Sequence, residues 1–246
     1  MRKILHLLYQ PYKWLIYIPF LAASTLVFGI TAAILAIFVS PKLASFIGGA
    51  LWAKLNCYVT PMFVKVTGRE NVDKKQSYVI VSNHQSQFDI FVLYGYIGID
   101  FKWVMKYELR KIPGLGIGCE KIGHVFIDRS DSEKAIASLK SAKERIVNGT
   151  SIIFFPEGTR RVGNTLGKFK KGAFKMALDL NLPILPVTIS GTEKILPAKT
   201  MDLFPGCAKL IIGKPVSTEN YNDSNIDELM HKVKEVMESK LYGDTF

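Results

Sequence analysis

The segment YVIVSNHQSQFDI (78–90) sets His84 five residues ahead of Asp89, directly after an apolar run. On one continuous helix that offset turns the two side chains about 140° apart, so they would not meet. They meet if His84 lies in the turn after a strand and Asp89 in the first helical turn. Ser86 is then the expected N-cap, and a negative charge at the helix start is favoured. A carboxylate bonded to one imidazole nitrogen fixes the tautomer and leaves the other nitrogen a base. The chemistry within reach is activation of an alcohol, a poor nucleophile at neutral pH. The pair alone also fits a bland reading, in which His84 is a turn residue and Asp89 only compensates the helix dipole.

Further segments carry functional groups in order: KYELRKIPGLGIG (106–118), GHVFIDR (123–129), FFPEGTR (154–160) and LPILPVTISG (182–191). FFPEGTR reads as a buried strand running into a loop at Gly158. Between Glu157 and Asp179 stand six basic residues, Arg160, Arg161, Lys168, Lys170, Lys171 and Lys175, and no acid. A phosphate ester is held by a guanidinium fork and by backbone amides, which a glycine lets approach closely. Lys168, Lys170, Lys171 and Lys175 equally fit a solvated helix face near lipid headgroups. Lys106 and Arg129 are further phosphate candidates, Arg129 with the alternative of an ion pair to Asp128 or Asp131. Pro183 and Pro186 are expected at a strand start or sheet border. His124 leads a strand and reads as a core or edge histidine.

Together these segments resemble the glycerophospholipid acyltransferase family, whose blocks are NHxxxxD, a Lys/Glu-Leu…Pro…Gly block ending in FIDR, FPEGTR and a Pro-rich strand. All four occur in order over roughly residues 65–190. His-x4-Asp is weak by itself and strong when joined to FPEGTR. Within the family the likeness is greatest to bacterial 1-acylglycerol-3-phosphate acyltransferases. The resemblance implies acyl transfer from an acyl thioester, acyl-CoA or acyl carrier protein, to the sn-2 hydroxyl of lysophosphatidic acid, giving phosphatidic acid. It implies His84 and Asp89 as the catalytic pair and Glu157, Gly158, Thr159 and Arg160 at the glycerol-phosphate site, with Lys106 and Arg129 as further substrate contacts. A thioester is already activated, so neither cofactor nor metal is expected. Glycerol 3-phosphate or another lysophospholipid is the rival acceptor. Ser82, Ser86 and Cys119 keep a covalent route open, although no GxSxG elbow exists.

The elements needed to position these groups are legible as seven β-rich runs: 63–68, 78–82, 101–105, 124–128, 151–155, 184–190 and 208–213. Between them Ala135, Ile136, Leu139, Ala142 and Ile146 have helical spacing. Ser130 and Glu133 fit a capping box at its start and Asn148-Gly149 its end. Phe169, Ala173, Met176, Ala177 and Leu180 repeat the pattern up to Asn181 and Pro183. A last amphipathic helix is expected near 225–241. The fold class is α/β, a layered acyltransferase fold with a central, mostly apolar sheet flanked by helices and preceded by an apolar helical segment.

That segment opens the chain. Trp14 to Pro41 contains no charged residue over 28 positions, enough for about 42 Å of helix against a bilayer core of about 30 Å. Pro41 and Lys42 mark a turn, and LASFIGGALWA (43–53) follows. The expected organisation is 1–61, membrane-associating helices, and 62–246, the catalytic domain. A helical pair in one leaflet is favoured over a single span, because basic residues flank the apolar stretch on both sides. A signal peptide and a buried soluble hairpin are the lesser readings. Of the net +11 in 246 residues, +7 falls within residues 1–69, which hold no Asp or Glu. That pairing of charge with apolar sequence points to an anionic membrane surface, not to nucleic acid. A non-catalytic basic binder would explain the charge but not the ordered blocks. Acyl thioesters are cytosolic, so the catalytic domain is expected on the cytoplasmic face of the cell (inner) membrane. The three cysteines have no zinc spacing and are too few for a disulfide scaffold.

Overall fold

A computed structural model describes residue 7 and residues 9–128, 132–146, 148–160 and 165–242. The sheet has seven strands: β1 (Met62–Thr67), β2 (Val79–Ser82), β3 (Phe101–Lys106), β4 (Val125–Ile127), β5 (Ser151–Phe154), β6 (Ile184–Ser190) and β7 (Gly206–Ile212). Their spatial order is β1-β7-β6-β2-β5-β3-β4. All pairings are parallel except β6 with β7, so β1 and β7 run against the other five. Every apolar run marked as a strand forms one, with ends shifted by a residue or two.

The central strands are buried on both faces, and alternation assigns each side chain to one of two layers. Ile80, Ile153, Leu185, Val187 and Ile189 pack with Ala53, Cys57, Phe91, Leu93 and Tyr17. These partners come from α3 (Trp52–Val59), α4 (Asp89–Tyr96) and the first long helix. Val79, Val81, Ile152 and Ile184 pack instead with Ala173, Phe174, Ala177, Leu229, Val233 and Met237. Those belong to α7 (Gly172–Leu180) and α9 (Ile226–Tyr242). Phe169 lies ahead of α7, buried but not helical. α6 (Ser132–Ala142) takes the 135–142 pattern and tightens into a 3-10 turn at Lys143–Arg145. Asn148 and Gly149 both hold positive φ where the chain leaves that region. Ser130 of the expected capping box lies outside the described residues.

Pro186 is not at a sheet border. It occupies β6, between β2 and β7. Val187 pairs with Ile212 and Ile184 with Val216, so one extra residue intervenes on the β7 side. The ring sits at that bulge, where a missing N–H costs no ladder bond, and its carbonyl accepts from Gly213 N at 2.8 Å.

The N-terminal apolar stretch is a helix from Tyr9 to Phe38, with a π-helical turn at Lys13–Tyr17 leading into α1 (Ile18–Phe38). The amides of Val39 and Ser40 close it on Leu35 O, and Ser40 caps α2 (Pro41–Ser45) by accepting from Lys42 N at 3.2 Å. A second π segment, Phe46–Leu51, joins α2 to α3. The long helix lies lengthwise on the rest of the protein. Tyr9 and Tyr12 donate to the carbonyls of Thr60 and Val59, and Lys13 Nζ donates to Met201 O at 2.9 Å. Further along, Gly29 meets α5 (Leu115–Ile122) so closely that a Cβ there would stand 2.3 Å from Gly114 O.

Candidate active site

The parallel strands β2, β5 and β3 lie side by side and end on the same edge of the sheet. His84 follows β2, Glu157 follows β5 and Lys106 closes β3. Asn83 makes the first fixed contact of the turn. Its side-chain amide donates to Ile189 O and accepts from Ile189 N, both at 2.8 Å, imitating one more rung of ladder to β6.

His84 and Asp89 meet as their spacing requires. Nδ1 of His84 stands 2.8 Å from Oδ2 of Asp89, the first residue of α4. The same oxygen accepts the amides of Gln85 at 2.7 Å and Ser86 at 2.8 Å. The expected cap is displaced: Phe88 is the N-cap, and Ser86 lies two residues before it. Ser86 Oγ accepts from Phe88 N and donates to Leu196 O. Asp89 ties down the amides of Gln85 and Ser86 ahead of the helix, while the Ser86 hydroxyl takes the Phe88 amide of the turn that leads into it. Oδ1 of Asp89 takes the hydroxyl of Thr192, the first residue of α8 (Thr192–Ile195). Asp89 is fully buried, whereas the His84 side chain is 15% exposed.

With Nδ1–H committed to the carboxylate, Nε2 of the neutral ring carries the lone pair. The imidazole face stacks on Phe155 at 4.0 Å and 12°, and Phe155 leans on Trp103. Ring plane and tautomer are therefore both set. The arrangement can take a proton from a hydroxyl brought to the sheet edge.

Glu157 is buried, and its carboxylate faces backbone amides, His84 N at 3.4 Å and Gly167 N at 2.8 Å. It ties the FPEGTR loop to the histidine turn. Gly158 has φ +74°, and a Cβ there would meet Lys170 Cε and Nζ at 3.0 Å. Lys170 lies across the glycine; it is exposed, as the solvated reading has it, but sits ahead of α7 and not on it, while Lys171 pairs with Asp227 at 2.7 Å. Thr159, Arg160 and Lys106 are exposed. Arg129 and Arg161 lie outside the described residues. Thr192 was invisible in the sequence, since its contact crosses 103 residues.

His124 is a core histidine. Burial, and then the nearby Lys102 charge, push its pKa down to about 3. Trp103 N donates to its Nδ1 at 3.2 Å, so Nε2–H faces Tyr94 Oη at 2.9 Å, and Tyr94 Oη reaches Ser45 Oγ at 3.1 Å. This buried relay joins the sheet, α4 and α2. Cys119 is also held protonated by burial, its pKa pushed up to about 12.

A profile described as Acyltransferase matches residues 63–190, about half of the chain. This chain belongs to the acyltransferase family. It is 35% identical over 214 residues to a 1-acyl-sn-glycerol-3-phosphate acyltransferase of Saccharomyces cerevisiae, covering 85% of this chain and 70% of that one. A chloroplastic enzyme of the same name from Brassica napus is 36% identical over 76% of this chain. This acyltransferase-family chain spans 54% of that plant relative's length. In overall shape it is similar to the crystal structure of the lysophosphatidic acid acyltransferase PlsC of Thermotoga maritima. The TM-score is 0.81 at 29% identity, covering 99% of this chain and 97% of that one.

Proposed function

We propose that this chain transfers an acyl group from an acyl thioester to the sn-2 hydroxyl of 1-acylglycerol 3-phosphate, giving phosphatidic acid. The observation that carries this is the Asp89–His84 pair, its ring stacked and its outer nitrogen unused by the carboxylate, at the strand edge that also bears the FPEGTR loop. The substrate class follows from the named relatives.

In this reading Nε2 of His84 takes the proton of the acceptor hydroxyl as that oxygen attacks the thioester carbonyl. Asp89 holds the resulting imidazolium, which returns the proton to the sulfur as the C–S bond breaks, so that the thiol departs, the ester forms and His84 is neutral again. Base catalysis of this kind is worth about 10²–10⁴-fold, and bringing the two substrates together supplies much of the rest. Thr159, Arg160, Lys106 and Arg129 are assigned to the phosphate, with Gly158 shaping the loop, its own amide being bonded to Phe155 O at 3.0 Å. Glu157 is assigned to holding the loop against the histidine turn. The donor is acyl-CoA or acyl carrier protein.

The same reading puts the chain on a membrane, with the catalytic part on the cytoplasmic face of the cell membrane. Leu26, Val27, Ile30, Ile34, Ile37 and Phe38 are exposed on α1, against the soluble-hairpin reading. A helix docked along the protein from Tyr9 to Ala36 cannot cross a bilayer without drawing in α5 and the ion pair between its Glu120 and Arg110 of the preceding 3-10 turn. That supports insertion into one leaflet over a single span.

The test is an acyl-transfer assay with purified protein, offering both donor types and both lysophosphatidic acid and glycerol 3-phosphate. Turnover with lysophosphatidic acid is expected, with a loss of about 10²–10⁴-fold in His84→Ala while membrane binding and folding persist. Wild-type turnover in that variant, or activity confined to glycerol 3-phosphate, would refute the proposal. Labelled acyl-enzyme formed without acceptor would replace direct transfer by a covalent route.

A further inference from the structure

The two carboxylate oxygens of Asp89 are held in different ways. Oδ2 collects three donors, the amides of Gln85 and Ser86 and Nδ1 of His84. All three lie within five residues of Asp89, so they form whenever the turn forms. The hydroxyl of Thr192 on Oδ1 comes from the far side of the β6–α8 junction. Thr192 is fully buried, as is Asp89.

The aim of that hydroxyl is fixed by packing. Gly191 holds φ +92°, and a Cβ there would stand 2.3 Å from Cys207 O, so the chain passes tightly against β7 just before Thr192. On either side of Thr192, Ile189 bonds Asn83 and Leu196 accepts from Ser86 Oγ. The histidine turn and the 189–196 segment are thus joined at three points, and Thr192 is the middle one.

A buried carboxylate with three donors on one oxygen and none on the other lowers its energy by rotating to share them. Such a rotation would move Oδ2 off the line to Nδ1 and release the imidazole from its fixed plane. We propose that Thr192 is a positioning residue for the acyl-transfer reaction: its hydroxyl locks the rotation of the Asp89 carboxylate and so holds His84 in the orientation that presents Nε2 to the acceptor. This rests on the reading of His84 and Asp89 as the general-base pair.

The experiment measures kcat and KM for Thr192→Val, which keeps the shape and loses the hydroxyl, beside Thr192→Ser, Thr192→Ala and the double variant with Asp89→Asn. Thr192→Val is expected to lose about 10–100-fold in kcat with KM for both substrates within about two-fold, and Thr192→Ser to recover most of it. Because the hydroxyl acts through the carboxylate, Thr192→Val should cost nothing further in Asp89→Asn. The proposal is overturned by wild-type kcat in Thr192→Val, by equal loss in the valine and serine variants, or by a fully additive loss in the double variant. Failure of both Thr192→Val and Thr192→Ala to fold would also overturn it, by assigning the hydroxyl to stability. An inactive His84→Ala beside a fully active Thr192→Val removes this proposal alone; an active His84→Ala removes the base reading itself.

Discussion

The helices on the two sides of the sheet turn different surfaces outward. α7 and α9 bury one apolar stripe each, and among the described residues their exposed positions are Gly172, Lys175, Asp179, Asp227, Glu228, His231, Lys232, Glu235, Ser239 and Lys240, with no exposed large apolar side chain. On the other side α1, the π segment at Phe46–Leu51 and α3 expose Val27, Ile30, Ile34, Ile37, Phe46 and Leu55. One layer follows the ordinary amphipathic pattern for water. The other is apolar both toward the protein and away from it, a pattern that is stable only if something apolar covers it. The His84 turn belongs to that second layer, since Phe88, just ahead of α4, packs on Tyr17 of the first long helix and Phe91 of α4 packs on Trp52 of α3. On the proposed function, an acceptor that lives in a bilayer would reach His84 without crossing water.

The largest effect that would break this contrast comes from charge on the apolar side. Ile30→Asp with Ile34→Asp should reduce binding to anionic phospholipid vesicles at least about 100-fold, given a cost of about 2.5–3.5 kcal/mol for each aspartate at depth in a bilayer. Lys232→Gln on α9 should leave vesicle flotation within about two-fold. Equal effects at the two places would dissolve the distinction.

Gly29→Val tests how tightly the apolar layer is docked. With Gly114 O standing 2.3 Å from the added Cβ, a loss of about 1–3 kcal/mol is expected, read as a lower unfolding midpoint in detergent. The relay through His124, Tyr94 and Ser45 adds a pH dependence to the same junction. The unfolded chain takes up a proton on this histidine near pH 6.5 and the folded one only near 3. This stabilisation is therefore complete above about pH 6.5 and falls as the pH drops toward 3. Between pH 7 and 5 His124 should account for about 2 kcal/mol of lost stability, and His124→Gln should flatten that part of the midpoint-against-pH curve. The smallest effect belongs to the water side, where Lys171→Ala removes an exposed pair with Asp227 and should cost under about 1 kcal/mol.

Legibility in the sequence followed the range of the interactions concerned. Every strand could be marked because short apolar β-branched runs such as VIVS and SIIF have few other fates. The His84–Asp89 contact was legible because five residues of strand, turn and helix start determine it. Ser86 does accept the amide two residues on, as a cap would, but it caps the turn at Gln87–Phe88, and the α-helix itself starts only at Asp89. Glu157 carried its loop in FFPEGTR but gave no sign that it would grip the backbone of His84, 73 residues away. Pro186 looked like a border residue because the bulge that accommodates it exists only once β7 is laid beside β6.

The sequence by itself determined the strands, the apolar opening with its uncompensated positive charge, the histidine–aspartate turn and the basic loop after β5. These depend on side-chain type and on neighbours a few residues apart. The tertiary structure alone decided the strand order, the lengthwise docking of the first helix, the gripping of the histidine turn by Glu157 and the placing of Thr192 on the second oxygen of Asp89. Each of these joins segments far apart in the chain, where a residue's partner is chosen by packing and leaves no mark in local spacing.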